Sequence, residues 1–299
     1  MLKSLETFVE LAKKKKDKKI ALAAAEDSHA LKAIKLIIEN EIAQPVLVGN
    51  TEKIKQIAAN ISLDLEGIEV IDEKDVGKAC MKAVKIVKEG GADVLMRGLV
   101  DSTYYLKAIL NKEHGLKKTK LVSQVAFIES PHYHKVFAYT DSGINIAPDL
   151  ADKTAMIKQA VEAFHKLGIK KPKVGVIAAV ESVKEAIPAT VEASVLSMIN
   201  YRGGIKGCIV EGPISIDLAF SKESCEHKGL ETRVGGDVDL IVLPEINSAN
   251  VFYKTMTFLG GAQGASFITG TTAPCVFPSR SDSVETKYYA MACAVAQCE

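Results

Sequence analysis

The chain has 299 residues, 47% of them hydrophobic, which is more apolar surface than one packed centre holds, so two lobes are expected. Its 38 basic and 37 acidic residues leave a formal net charge of +1, which excludes a global field able to hold nucleic acid or an anionic membrane. No apolar run approaches the ~20 residues a membrane span needs, and MLKSLETFVELAKKKKDKK at the start mixes charged and apolar residues at helical spacing, unlike a signal peptide; a cytoplasmic protein acting on small molecules is expected.

In chain order, KIALAAA (19–25) reads as a buried strand, HALKAIKLIIENEI as an amphipathic helix and PVLVG as a second strand. IEVI (68–71), a helix through Gly90 and DVLMRG (93–98) continue the alternation, which is the pattern of a parallel α/β sheet. LVSQVAFIE and HKVFAYTD, with the turn-forming ESPHYH between them, read as two strands joined by a hairpin-like excursion, where the sheet changes direction. Beyond them KVGVIAAV, GCIVEG and VDLIVLPEI are strand-like, separated by the helical patterns DKTAMIKQAVEAFHKLG and PATVEASVLSMIN. GASFITG and APCVF are short strands, and SDSVETKYYAMACAVAQC is a closing helix with Asp282 and Glu285 in capping-box spacing.

The segment most suggestive of chemistry is APCVFPSRSD (273–282), where a strand ends in a loop carrying Ser279 and Arg280 just before a helix. Ligands of parallel α/β sheets gather at strand carboxyl ends, and unpaired N–H groups at helix N-termini attract anions, so this is a phosphate seat by its residues alone. Only four of the 38 basic residues are arginines, at positions 97, 202, 233 and 280. The planar guanidinium suits bidentate contact with phosphate, and Arg97 and Arg280 both follow strands, although a surface ion pair is the alternative for each. Ser279 taken alone has the alternative of a helix cap.

Elsewhere the signals are weaker. Asn250 and Lys254 are i,i+4 neighbours on one helical face, placed either to contact a substrate or simply to be solvated. The glycines at 212, 260, 261 and 264 read as turns, and Ala23 to Ser28 holds no glycine fingerprint for a dinucleotide. His132 and His134 lack a third ligand nearby, the lysine run at 13–16 reads as solvated, and the six cysteines show no paired CxxC spacing and read as free thiols. No metal site is expected.

FPSRSDSVETKYYAMACA resembles the closing segment of the phosphate acyltransferases, and LMRGLVDSTYYLKAIL, YTDSGINIAPDL, IVEGPISIDLAF and DLIVLPEINSANVFYKT resemble the phosphate butyryltransferase branch across residues 93 to 299. The resemblance implies an isocitrate dehydrogenase-like fold, two α/β lobes around a cleft, with 1–128 and 268–299 in the first lobe and 129–267 in the second. It implies reversible transfer of a short acyl group, butyryl or a similar one, between coenzyme A and inorganic phosphate, with acetyl as the alternative. The thiolate of coenzyme A attacks the acyl phosphate in a ternary complex, coenzyme A being a substrate and no cofactor being needed. Partners are then acyl-CoA, inorganic phosphate and acyl phosphate, in a homo-oligomer without nucleic acid or membrane.

In that chemistry Arg280, Arg97 and Ser279 stabilise the phosphate and the oxyanion, and a carboxylate must take the proton of a thiol whose pKa is ~8.5. Asp282 or Glu285 is the base, with helix capping as the competing role of each. The resemblance also places Asp141 and Asn145 in the acyl or phosphate pocket, whereas Asn and Asp in turns are otherwise ordinary. Two rivals remain at this level: a metal- and nicotinamide-dependent dehydrogenase of the same fold, and a non-catalytic protein that binds coenzyme A esters.

Overall fold

The computed structural model describes residues 2–299 as two compact units, one of residues 5–122 and 264–299, the other of 2–4 and 123–263. In chain order the first unit opens with α1 (Glu6–Ala12), β1 (Lys19–Ala23), α2 (Ser28–Glu39), β2 (Gln44–Gly49), α3 (Thr51–Asn60), β3 (Glu69–Asp72), α4 (Val76–Lys88), β4 (Val94–Arg97) and α5 (Ser102–Ile109). The second contains β5 (Ser123–Glu129), β6 (Phe137–Thr140), α6 (Leu150–Lys166), β7 (Lys173–Ile177), α7 (Pro188–Tyr201), β8 (Ile209–Ile214), α8 (Ile216–Phe220), α9 (Lys222–His227), β9 (Leu240–Val242) and α10 (Ile246–Phe258). β10 (Gln263–Thr269), β11 (Cys275–Val276) and α11 (Val284–Ala296) then complete the first unit.

In the first unit the strand order is β3-β2-β1-β4-β11-β10, parallel except where β10 runs antiparallel to β11. Strands buried on both faces need continuous apolar runs, and β1, β2 and β4 supply them. β1, β2 and β3 lead into capped helices: Asp27 accepts from the N–H groups of His29 and Ala30, Asn50 from that of Lys53, and Asp75 from that of Lys78. α11, rich in alanine, is buried along nearly its whole length and packs on α1 and α2.

The second unit has the order β5-β6-β9-β7-β8, with β5 antiparallel to β6 and the rest parallel. The expected change of direction is therefore the β5–β6 pair. The sequence reading placed residues 123–128 in the first lobe; here β5 pairs with β6 (Ala126↔Tyr139) and packs in the second unit, and residues 264–267 pack in the first. Gly212 and Pro213, expected in a turn, lie inside β8, where Gly212 leaves room that a Cβ would take from Val176 O at 2.7 Å. Phe137, Tyr139, Phe220 and Phe252 form an edge-to-face aromatic core.

At the starts of β6, β7 and β9 a charged network ties this unit together. Lys135, 4% exposed, reaches Asp237 at 2.8 Å and Asp239 at 2.6 Å, and Lys173 reaches Asp237 at 2.7 Å. His134 Nε2 lies 3.2 Å from Asp237, so the histidine excursion is a structural contact. Burial would raise the Asp237 carboxyl, but the hydrogen bonds from Lys135, Lys173 and His134 outweigh it and hold the group well below the usual carboxylate range. A carboxyl depressed in the folded state stabilises above its unfolded value, 3.8, and that stabilisation is lost as pH falls through the folded one. Asp237→Asn is therefore expected to lower the thermal midpoint at pH 7, with the gap to the parent narrowing below about pH 4; a gap constant from pH 7 to pH 3 in thermal melts would contradict it.

Candidate active site

β4 and β11 pair in parallel with Cys275 opposite Leu95 and Val276 opposite Met96, so Arg97 and Phe277 leave the sheet side by side. Tyr105 of α5 donates its hydroxyl to Val276 O at 2.9 Å and stacks on Phe277. After Arg97 the chain passes so close to β1 that a Cβ on Gly98 would lie 2.2 Å from Ala24 O. Only glycine permits that approach, in which Gly98 N–H donates to Ala23 O.

Arg97 is 4% exposed and does not project freely as its position after a strand suggested. Its Nε and Nη2 donate to Val100 O at 2.9 and 2.6 Å, its Nη1 donates to Pro278 O at 3.1 Å, and its guanidinium lies 5.3 Å from the Phe277 ring centre. Burial lowers its pKa, and Arg280 is among the charges that act on it. Phe277, Tyr105 and Lys287 hold this arrangement, and periodicity along the chain singles out none of them. For Lys287 the signal was a single lysine inside the apolar stretch of α11.

Residues 279–282 form a closed turn. Asp282 N–H donates to Ser279 O at 3.2 Å, and Ser279 N–H donates to the Asp282 carboxylate at 2.7 Å. Arg280 and Ser281 occupy its tip, with Ser279 Oγ 3.0 Å from Ser281 Oγ. Arg280 projects outward, its Nη2 3.2 Å from the Asp101 carboxylate with both side chains about 60% exposed; such a pair adds little stability, which leaves the guanidinium available to a ligand. Lys287, buried on the first turn of α11, donates to Asp282 O at 2.8 Å and to Ser279 O at 3.4 Å.

The expected capping box of Asp282 with Glu285 is not what forms. α11 begins one residue later than that spacing requires, with Ser283 as N-cap accepting from Thr286 N–H, because the Asp282 carboxylate is turned back onto Ser279. Glu285 stands exposed on the first turn, with no hydrogen-bond or ion-pair partner among the described residues.

The other four residues singled out from sequence belong to the second unit. The Asp141 carboxylate, 3% exposed, accepts from the N–H groups of Gly143, Ile144 and Asn145 and from the Asn145 side-chain amide at 2.7 Å. Burial raises its pKa, and the hydrogen bonds from Gly143, Asn145, Gln124 and Ile144 oppose that. Asp141 and Asn145 thus build the loop after β6. Asn250 of α10 donates to Ser142 O at 3.3 Å and so joins that loop, while Lys254, one turn on, places its ammonium 5.7 Å from the ring centres of Tyr253 and Phe258.

Among the described residues, no His, Cys, Asp and Glu side chains are grouped to hold a metal ion, and no helix is long and apolar enough to cross a membrane. The described cysteines are free thiols, five of them buried.

The parallel strands of the first unit thus carry an arginine turn beyond a strand's carboxyl end, backed by two buried cations. The chain belongs to the phosphate acetyl/butaryl transferase family, whose model matches residues 4–79 and 73–295. It is 42% identical over 294 residues to phosphate butyryltransferase of Clostridium beijerinckii, covering 98% of this chain and 97% of that one. A branched-chain phosphotransacylase from Enterococcus faecalis V583 superposes with a TM-score of 0.84 at 30% identity, covering 94% of this chain and 98% of that one. The 4-hydroxythreonine-4-phosphate dehydrogenase of Klebsiella pneumoniae, at 11% identity with a TM-score of 0.60 over 94% of this chain and 99% of that one, shows the dehydrogenase-like α/β fold expected from the sequence.

Proposed function

We propose that the chain catalyses butyryl-CoA + phosphate = butyryl phosphate + CoA, and that the Ser279–Asp282 turn is its phosphate seat. The observation that carries the seat is the turn itself: a closed loop presenting Ser279 and the outward guanidinium of Arg280, with Arg97 held against the Pro278 carbonyl just before it. In the direction of butyryl-CoA synthesis a base takes the thiol proton, and sulfur attacks the acyl carbonyl carbon. The tetrahedral intermediate collapses by breaking the bond from that carbon to the bridging oxygen, and phosphate leaves with the electron pair. Arg280 and the Ser279 hydroxyl stabilise the charge that builds on the phosphoryl oxygens.

Glu285 is the better candidate base. Its carboxylate is exposed and unengaged, whereas that of Asp282 holds the Ser279 N–H. In the second unit, Lys254 and Asn250 are proposed contacts for the acyl-CoA, with Asp141 and Asn145 shaping the loop beside Asn250. The protein acts as a cytoplasmic homo-oligomer and needs no cofactor. The family description covers acetyl as well as butyryl transfer, so acetyl transfer is the second reading.

The test is phosphate-dependent release of thiol from acetyl-, butyryl- and isobutyryl-CoA by purified protein without added metal or nucleotide. Release that requires phosphate and is fastest with a four-carbon ester is expected, together with a drop of about 100-fold or more in kcat for Glu285→Gln. No release from any ester by folded protein would overturn the reading, and the fastest release from acetyl-CoA would transfer it to the acetyl branch.

A further inference from the structure

We propose that Lys287 is a positioning residue of the phosphate seat, its ammonium holding the Ser279–Asp282 turn so that Ser279 and Arg280 meet the phosphoryl group. This rests on the reading of that turn as the phosphate seat. Lys287 is 1% exposed and among the largest fully buried side chains of the chain. A lysine stem is long enough to carry its charge to solvent, and here it turns inward instead. Its ammonium donates to Asp282 O at 2.8 Å and Ser279 O at 3.4 Å, and among the described residues no carboxylate lies within ion-pair distance.

Three electrostatic disadvantages meet at this one charge. Burial disfavours an ammonium, and its place on the first turn of α11 is the positive end of the helix dipole. Arg97, buried against the same loop and also without a carboxylate within ion-pair distance, repels it; Asp27 and Asp282 compensate only from a distance. A methionine would fill similar volume without any of these costs, and replacing buried charges by apolar groups is often neutral or stabilising. What the lysine supplies is grip on the loop and local positive charge. Arg97 takes the carbonyl of Pro278 and Lys287 those of Ser279 and Asp282, so two buried cations fix the backbone on both sides of Arg280. A phosphate bound at the turn provides the negative charge that this pair lacks.

Lys287→Gln keeps N–H donors for the loop carbonyls and loses the charge, whereas Lys287→Arg keeps both. Inorganic phosphate binding, measured by titration calorimetry on variants that keep the parent's far-UV circular dichroism, is expected to weaken about tenfold or more in Lys287→Gln and less than about threefold in Lys287→Arg. In steady-state assays the KM for phosphate should rise by a similar factor while the KM for acyl-CoA stays within about twofold, a split that general loosening of the fold would not produce. Phosphate affinity unchanged in folded Lys287→Gln, equal losses in both variants, or parallel changes in the two KM values would each overturn the proposal. The calorimetry needs no turnover. A parent that binds phosphate in a Lys287-dependent way but releases no thiol would refute the proposed reaction and leave this role standing. Thiol release with an unchanged phosphate KM in Lys287→Gln would do the reverse.

Discussion

Arg280→Ala is expected to lower kcat with butyryl phosphate and coenzyme A about 100-fold or more, the usual cost of a lost transition-state donor. The same variant should unfold within about 0.5 kcal/mol of the parent, as surface substitutions usually do. The asymmetry follows from where the guanidinium stands: 61% exposed, with one partner, Asp101, that is as exposed as itself. Charge developing on a departing phosphate attracts a fixed cation more strongly than the bound ester does, so the loss should fall mainly on kcat. Turnover close to the parent's in folded Arg280→Ala would remove this residue from the mechanism and, with it, the reading of the turn as the phosphate seat.

Arg97→Met should behave differently, losing stability as well as activity. Its guanidinium is buried and donates to Val100 O twice and to Pro278 O once, while lying against Phe277. Methionine fills much of the space but leaves both carbonyls without these donors, and losses of this kind typically cost about 2–4 kcal/mol. Because the Pro278 carbonyl lies at the start of the loop, kcat should also fall, by roughly tenfold or more, about the rate effect of a misplaced catalytic group. Arg97→Lys should recover little, since one ammonium nitrogen does not reproduce the three separate donors that the planar fork aims at Val100 O and Pro278 O. Denaturant melts and initial rates on the same preparations separate the two effects. Full stability with Met at position 97 would contradict the buried arrangement.

Much of the fold was legible because a strand buried on both faces must be apolar throughout. KIALA and the Pro45–Gly49 run declare themselves without reference to any neighbour. The helix between them announces itself through apolar residues at helical spacing in HALKAIKLIIENEI. The site was legible in part for the same reason: arginine is scarce in this chain, and a Ser-Arg pair between a strand and a helix is a local arrangement. Where two local readings fitted equally, sequence could not choose. Asp282 with Glu285 and Ser283 with Thr286 both have cap spacing, and the Ser279 N–H decided by taking the Asp282 carboxylate.

Residue types and periodicity determined the alternating α/β architecture and the strand-end position of Arg97 and Arg280. The tertiary structure alone decided which strands are neighbours, and with it that Arg97 meets Pro278 across 181 positions of chain. It decided too that Lys287 turns inward while Arg280 turns out, although both are cations near one helix start. The physical reason is that periodicity reports how a residue repeats along its own element. The direction of a long charged side chain is set by the carbonyls and carboxylates around it: the pairing of β4 and β11 brings Asp101 to Arg280, while Lys287 meets the Ser279 and Asp282 carbonyls once the turn before its helix closes.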